Sequence, residues 1–197
     1  NLTSYNETCA AIANVYWNHR MFLLHGDAKY IDVLERTLYN GMISGVSLTG
    51  DSFFYPNCLE SDGKCKFNRS ALTRKSWFDC SCCPSNVIRF IPSVPEYIYA
   101  FRNDSLYVNL FIACNASIKM NNTNVEISQK TSYPWEGKTV ININPKTDKK
   151  FAINIRIPGW ASDRPIPSDL YRYLMVCPDK ISFILNGESI EVKTNKG

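Results

Sequence analysis

From Ala10 to Leu24 the apolar residues Ile12, Val15, Tyr16 and Phe22 recur at helical spacing, and Gly26 supplies a stop. Ile31, Leu34, Leu38 and Met42 then follow at steps of three and four, a continuous stripe along a second helix for which Asp27 is a fair N-cap. The spacing predicts an antiparallel helical hairpin turned at His25-Gly26. Residues 46–79 lose this period. They are polar, with glycines and aromatics, and read as a long loop with a short strand at Ser52–Tyr55; loops of that length in a compact domain are usually functional. Pro84 suits the first position of a further helix reaching about Ile91, which Pro92 and Pro95 end.

Beyond Tyr97 the period drops to two. Leu106, Val108, Leu110 and Ile112 share a face, followed by Val140, Ile141 and Ile143, then Phe151, Ile153, Ile155 and Ile157. Asn186-Gly187, between Ile181–Leu185 and Ser189–Val192, is a type I′ hairpin signal. The fold class expected is therefore α+β: helices over 1–96, then an antiparallel β-sandwich over 97–197.

A chain of 197 residues can bury a core, and its formal charge of +4 is scattered, with no basic run interleaved with aromatics, so nucleic acid is not expected as a partner. No window approaches the roughly 20 apolar residues needed to cross a bilayer, and residues 1–30 lack the order of a signal peptide. No membrane association is expected. The first residues run straight into a motif-bearing segment, so localisation, bacterial cytoplasm or periplasm, is not readable.

Eight cysteines admit a disulfide framework or a set of thiolate ligands. Cys82 and Cys83 are adjacent, with Cys80 two residues earlier, and neighbouring cysteines bond to each other only with strain, so this cluster reads as ligands or a reactive site. Cys58 and Cys65 bracket a polar loop and fit a local disulfide or two free thiols equally well. Glu7 and Cys9, two apart in an extended stretch before a helix, point the same way. Cys82 and Cys83 lie at the mouth of another helix, whose N-terminal dipole favours thiolate. Together Glu7, Cys9, Cys82 and Cys83 make a three-sulfur, one-oxygen set suited to tetrahedral zinc, Zn2+. On residue types alone, a purely structural zinc site and unligated buried cysteines stand beside that reading.

The segments YNETCA (Tyr5 to Ala10), GDAKYIDVLERTLYNG (Gly26 to Gly41), FFY (Phe53 to Tyr55), WFDCSCCPSNVIR (Trp77 to Arg89), YIYA (Tyr97 to Ala100), LYVNLF (Leu106 to Phe111) and RIPGW (Arg156 to Trp160) resemble, in order, the β-L-arabinofuranosidases of glycoside hydrolase family 127. The resemblance implies a multidomain architecture in which residues 1–96 end an (α/α)6 barrel and residues 97–197 belong to a β-sandwich. It implies a retaining hydrolysis of β-L-arabinofuranosides or related plant glycans, with Cys82 as nucleophile and Glu7, Cys9 and Cys83 as its fellow zinc ligands. Glu35 and Tyr55 match positions that contact the sugar.

This chain departs from the family's pattern in one respect. The general acid/base glutamate and several sugar-binding histidines lie upstream of the ETC motif in relatives, where this chain has six residues before Glu7, and His19 and His25 do not match those histidines. The expectation is a fragment that lacks the N-terminal part of its catalytic domain and is inactive alone on its oligosaccharide or glycoside substrate. A competing function is a non-enzymatic, zinc- or disulfide-stabilised carbohydrate-binding module presenting Trp135 and Trp160.

Overall fold

The computed structural model describes residues 4–120, 123–191 and 193–194. The chain divides into two compact units, Asn1–Ser93 with Pro158–Gly197, and Val94–Ile157.

The first unit opens with the helical hairpin: α1 spans Thr8–His25 and α2 Ala28–Thr37. Gly26 ends α1 in the left-handed region (φ 65°), a conformation that costs a residue without Cβ little, and its N–H donates to Phe22 O at 2.7 Å. Asp27 caps α2, its side chain accepting from Lys29 N. The apolar stripe is fully buried, Ile31, Leu34 and Met42 at 0 to 1% exposure together with Leu38, against Ile12, Val15 and Phe22 of α1. Complete burial of such a side chain stabilises by about 1.5–3 kcal/mol, so these few residues fix how the helices meet. Tyr16 is more exposed than its place in the pattern implies, but its ring meets Phe90 edge-on at 5.6 Å and ties α1 to α3 (Cys82–Phe90).

Three local expectations are revised. The helix at the cysteine pair begins at Cys82, two residues before Pro84, because Cys82 and Cys83 at its start need no intrahelical N–H partner and Pro84 still falls within the first turn. Ser52–Tyr55 is not a strand among the described residues. Phe53 instead makes single bridges to Val46 and Lys75, and Pro56 bridges Glu7. A turn of π-helix, Leu38–Met42, also extends α2 where the sequence predicted continuous α-helix.

The second unit holds two three-stranded sheets. In one, β1 (Tyr99–Arg102) pairs antiparallel with β2 (Ser105–Val108), which pairs parallel with β6 (Ala152–Ile155). The other is an antiparallel meander of β3 (Cys114–Lys119), β4 (Asn124–Thr131) and β5 (Thr139–Pro145). Leu106 and Val108 of β2 share one apolar cluster with Val125 and Ile127 of β4, Phe111 and Met120, so alternate residues of both sheets face the same core. Arg156 is buried there, donating from Nε to Asn109 O at 2.6 Å.

Within the first unit, β7 (Phe183–Leu185) and β8 (Glu188–Ile190) form the hairpin expected at Asn186-Gly187, with positive φ at both turn residues. No helix among the described residues is long and apolar enough to cross a membrane. The RIPGW segment returns to α2: Gly159 N lies 3.2 Å from both carboxylate oxygens of Asp32 and donates to them. A Cβ on Gly159 would sit 2.6 Å from Asp32 Oδ2 and 3.3 Å from the Arg164 carbonyl oxygen. Gly159→Ala is therefore expected to destabilise the protein by about 1–3 kcal/mol, the usual cost of forcing atoms into a filled space. Urea unfolding of Gly159→Ala in the wild-type and Asp32→Ala backgrounds checks this, the penalty being smaller where the carboxylate has gone.

Candidate metal and nucleophile site

The site is built at the beginnings of α1 and α3, with the 53–57 segment laid between them. Glu7 is the residue before α1, in extended conformation (φ −76°, ψ 135°), and its carboxylate does not cap the helix. Its side chain is thereby left to point out of the helix start. Cys9 lies in the first turn of α1 and Cys82 and Cys83 open α3. The 53–57 segment is strapped to the start of α1: Thr8 N donates to Tyr55 O at 3.0 Å, Thr8 Oγ1 to Phe54 O at 2.8 Å, and Asn57 N to Asn6 O at 2.6 Å.

This arrangement brings Glu7, Cys9, Cys82 and Cys83 together, with one potential ligand atom from each lying within 4.8 Å of all the others. Cys9 Sγ is 3.3 Å from Cys83 Sγ, and Glu7 Oε1 is 3.7 Å from Cys82 Sγ and 3.9 Å from Cys83 Sγ. A tetrahedron with metal–sulfur bonds of ~2.3 Å has edges of about 3.7 Å, so these separations and the three-sulfur, one-oxygen chemistry fit a zinc-sized tetrahedral site. All eight cysteines, Cys58 and Cys65 included, are free thiols.

The three sulfurs are not equivalent. Burial pulls the Cys82 thiol up, but hydrogen bonds from Tyr55, Cys9, Cys83 and Cys80 outweigh it and set Cys82 below its ordinary value. Burial, then the contact with Cys9, drives Cys83 well above the thiol range. Cys9 is also raised by burial, against an opposing hydrogen bond from Asn86. Cys82 is therefore the first of the three to become a thiolate. Its partner is Tyr55, whose hydroxyl lies 3.0 Å from Cys82 Sγ and 3.8 Å from Cys80 Sγ. The hydrogen bond to Cys82, and then burial, hold the Tyr55 hydroxyl far above its usual range, so its proton stays on oxygen; the neutral Cys82 thiol donates to that oxygen, and an ionised Cys82 accepts from it instead.

Tyr55 itself is 5% exposed and clamped from several directions. Phe78 meets its ring edge-on at 5.5 Å and the Arg69 guanidinium covers it at 4.2 Å. Arg69 also reaches the Tyr5 hydroxyl at 3.5 Å. Glu35, by contrast, is outside the four-residue cluster. It lies on α2 at 4% exposure, which a carboxylate on a solvated helix face would not show.

Three residues near the site had no sequence reading. Asn86 donates from Nδ2 to Cys9 Sγ at 3.1 Å. It follows Cys83 by one helical turn, and that spacing was the available signal. Arg69, at φ 47°, and Asn68 gave no signal at all, because neither a left-handed backbone nor a buried amide is visible in loop sequence. Asn68 is fully buried and holds the loop: its Oδ1 accepts from Tyr55 N at 2.7 Å, and its Nδ2 donates to Phe53 O at 3.1 Å and Thr73 O at 2.8 Å.

Residues 1–96 match the family described as "Beta-L-arabinofuranosidase, GH127 catalytic domain" and residues 105–197 the one described as "Beta-L-arabinofuranosidase, GH127 middle domain". A curated relative, the non-reducing end beta-L-arabinofuranosidase of Bifidobacterium longum subsp. longum, is 37% identical over 170 residues, which cover 82% of this chain and 25% of that protein. Among solved structures, a GH127 beta-arabinofuranosidase superposes with a TM-score of 0.88 at 50% identity, over 100% of this chain and 30% of its own. A GH127 beta-L-arabinofuranosidase from Geobacillus stearothermophilus T6 gives 0.82 at 37% identity, over 97% and 28%. The chain thus spans under a third of the length of these relatives.

The Asn68 hub generates a prediction. Asn68→Ala strands a buried N–H and two carbonyls, each worth about 1–3 kcal/mol when left without a partner, so unfolding midpoints should fall clearly. Hydrogen exchange should in addition rise at Tyr55 more than in α2, because it is the Tyr55 N–H that loses its acceptor.

Proposed function

This chain belongs to the GH127 family of β-L-arabinofuranosidases, and from that membership we propose that it is part of a retaining glycosidase whose nucleophile is Cys82. The observation that carries the reading is the convergence of Glu7, Cys9, Cys82 and Cys83 within 4.8 Å. Glu7, Cys9, Cys82 and Cys83 would hold zinc, which when bound keeps Cys82 deprotonated at neutral pH and fixes the direction of its lone pairs.

The chain's own residues then act in order. With Cys82 ionised, the Tyr55 hydroxyl 3.0 Å away donates to its sulfur and aims it, while Arg69 and Phe78 keep the Tyr55 ring from turning away. Cys82 Sγ attacks the anomeric carbon of a β-L-arabinofuranoside or related glycan, the glycosidic C–O bond breaks, and the leaving oxygen takes a proton from a general acid. Water then attacks the same carbon from the opposite side, the C–S bond breaks, and sulfur departs with the bonding electron pair, so configuration is retained over two displacements. Buried Glu35 and Tyr55 are the residues of this chain that contact the sugar hydroxyls.

The general acid is assigned to a part of the longer protein outside these 197 residues, in keeping with relatives of which the chain covers 25 to 30%. On family membership we also assign residues 1–96 to the end of an (α/α)6 barrel and residues 97–197 to a β-sandwich domain, and the apolar cluster shared by the two three-stranded sheets supports the latter. The 197 residues alone are then expected to be inactive. Eight free thiols favour this reading over a disulfide-stabilised carbohydrate-binding module.

In the full-length protein, Cys82→Ser should lower release of the leaving group from an aryl β-L-arabinofuranoside by about 10³-fold or more, since a hydroxyl keeps its proton where a metal-bound thiol does not. Cys83→Ser should lower zinc content and turnover together, by about 10–100-fold. Full turnover by a folded Cys82→Ser variant would remove the cysteine from the mechanism.

A further inference from the structure

We propose that Asn86 is a positioning residue for the metal set: its side-chain N–H holds Cys9 Sγ as a ligand and sets it against the cysteine pair on α3. The inference rests on the reading of the cluster as a zinc site and deepens it.

The argument starts from charge. Three thiolates and one carboxylate carry four negative charges, so a divalent cation among them leaves a net excess of two. Such a set is stable only if donors and cations around it disperse that excess. The donors are unequally placed. Cys82 has the Tyr55 hydroxyl at 3.0 Å and Cys9 has the Asn86 amide at 3.1 Å, whereas Cys83, fully buried, faces Glu7 Oε1 at 3.9 Å and the Tyr55 carbonyl at 3.8 Å, both acceptors. Only the NH2 side of an amide can face a thiolate, because its oxygen would be repelled, and this fixes the orientation of Asn86.

Position gives the hydrogen bond its consequence. Asn86 sits on α3 one turn beyond Cys82 and Cys83, while Cys9 is on α1. The bond therefore joins the two helices that supply the sulfurs, and sets the register of Cys9 against the pair on α3. The Tyr55 hydroxyl belongs to the sugar side of the site, but the Asn86 amide belongs to the helix that carries the ligands. An exposed asparagine on an ordinary helix face would instead turn both amide groups to water; Asn86 is half-buried.

The test uses the full-length protein loaded with cobalt(II), which reports thiolate ligation by its sulfur-to-metal charge-transfer absorption. Asn86→Leu keeps the volume and removes the donor, and Asn86→Asp keeps the shape but sets a carboxylate against a thiolate. Both should weaken cobalt and zinc binding by about 10–100-fold in chelator competition, Asp more than Leu. Asn86→Leu should also move the charge-transfer band to longer wavelength, since a sulfur without its donor holds its electrons less tightly. Asn86→Gln, which retains an N–H, should recover part of both. Circular dichroism confirms that each variant is folded. Wild-type protein that binds cobalt, with Asn86 variants unchanged in affinity and band, overturns the inference alone. Wild-type protein that binds no cobalt or zinc overturns the metal reading and the inference with it.

Discussion

Four groups that become negative sit within 4.8 Å of one another, and that mutual repulsion is the constraint on which the surrounding structure depends. At 4 Å two unit charges interact by ~1 kcal/mol in bulk water and by about 4 kcal/mol at the screening typical near a protein surface, so the set cannot be assembled by side chains free to swing apart. It must be held from outside. Each member is accordingly fixed at the start of a helix, where the backbone direction is set and the dipole favours negative charge. The nearby cation, Arg69, approaches through aromatic rings and not through a carboxylate, which leaves Glu7 facing the sulfurs.

Holding those helix starts explains features of the scaffold that would otherwise be unrelated. The stripe Ile31–Leu34–Leu38–Met42 has no chemistry, yet it sets the approach of α2 to α1 and with it the depth of Glu35. The 53–57 segment makes only isolated bridges, but its hydrogen bonds to Asn6 and Thr8 pin the start of α1, and Asn68 pins the segment in turn. A buried amide with three protein hydrogen bonds is a rigid part in a long loop. The loop therefore behaves as a fixed strut between α1 and α3, and Tyr55 at its centre is presented to Cys82 by backbone as much as by ring packing.

What the sequence made legible follows from the range of the interactions involved. Helices and caps are local: the stripe on α2, the stop at Gly26 and the turn at Asn186-Gly187 were readable because each depends on residues within a few positions. The four-residue cluster was readable because Glu7-Cys9 and Cys82-Cys83 are rare residue types paired at helix starts. Asn68, Arg69 and Asn86 act across the fold, between residues 13 to 77 positions apart, and asparagine in a loop or on a helix has many commoner uses. The strand expected at Ser52–Tyr55 failed for the same reason. Its aromatic residues fit a pleated surface, but their partners here are a helix start and a buried amide, which no local pattern encodes.

The difference between Cys82 and Cys83 is the sharpest case of position overriding residue type. Both are cysteines at the start of one helix, and the dipole acts on both alike. Cys83 is wholly buried and, although it accepts from Cys9, also faces two oxygens, so burial first and those lone pairs with it oppose its ionisation. Cys82 is half-buried and meets a hydroxyl whose proton stays on oxygen, so its thiolate gains a hydrogen bond while keeping a path to solvent. Adjacent side chains leave a helix about 100° apart, and that rotation is enough to bury one sulfur and leave the other half-buried. A pair of neighbouring thiols thereby acquires two different environments from a single turn of backbone.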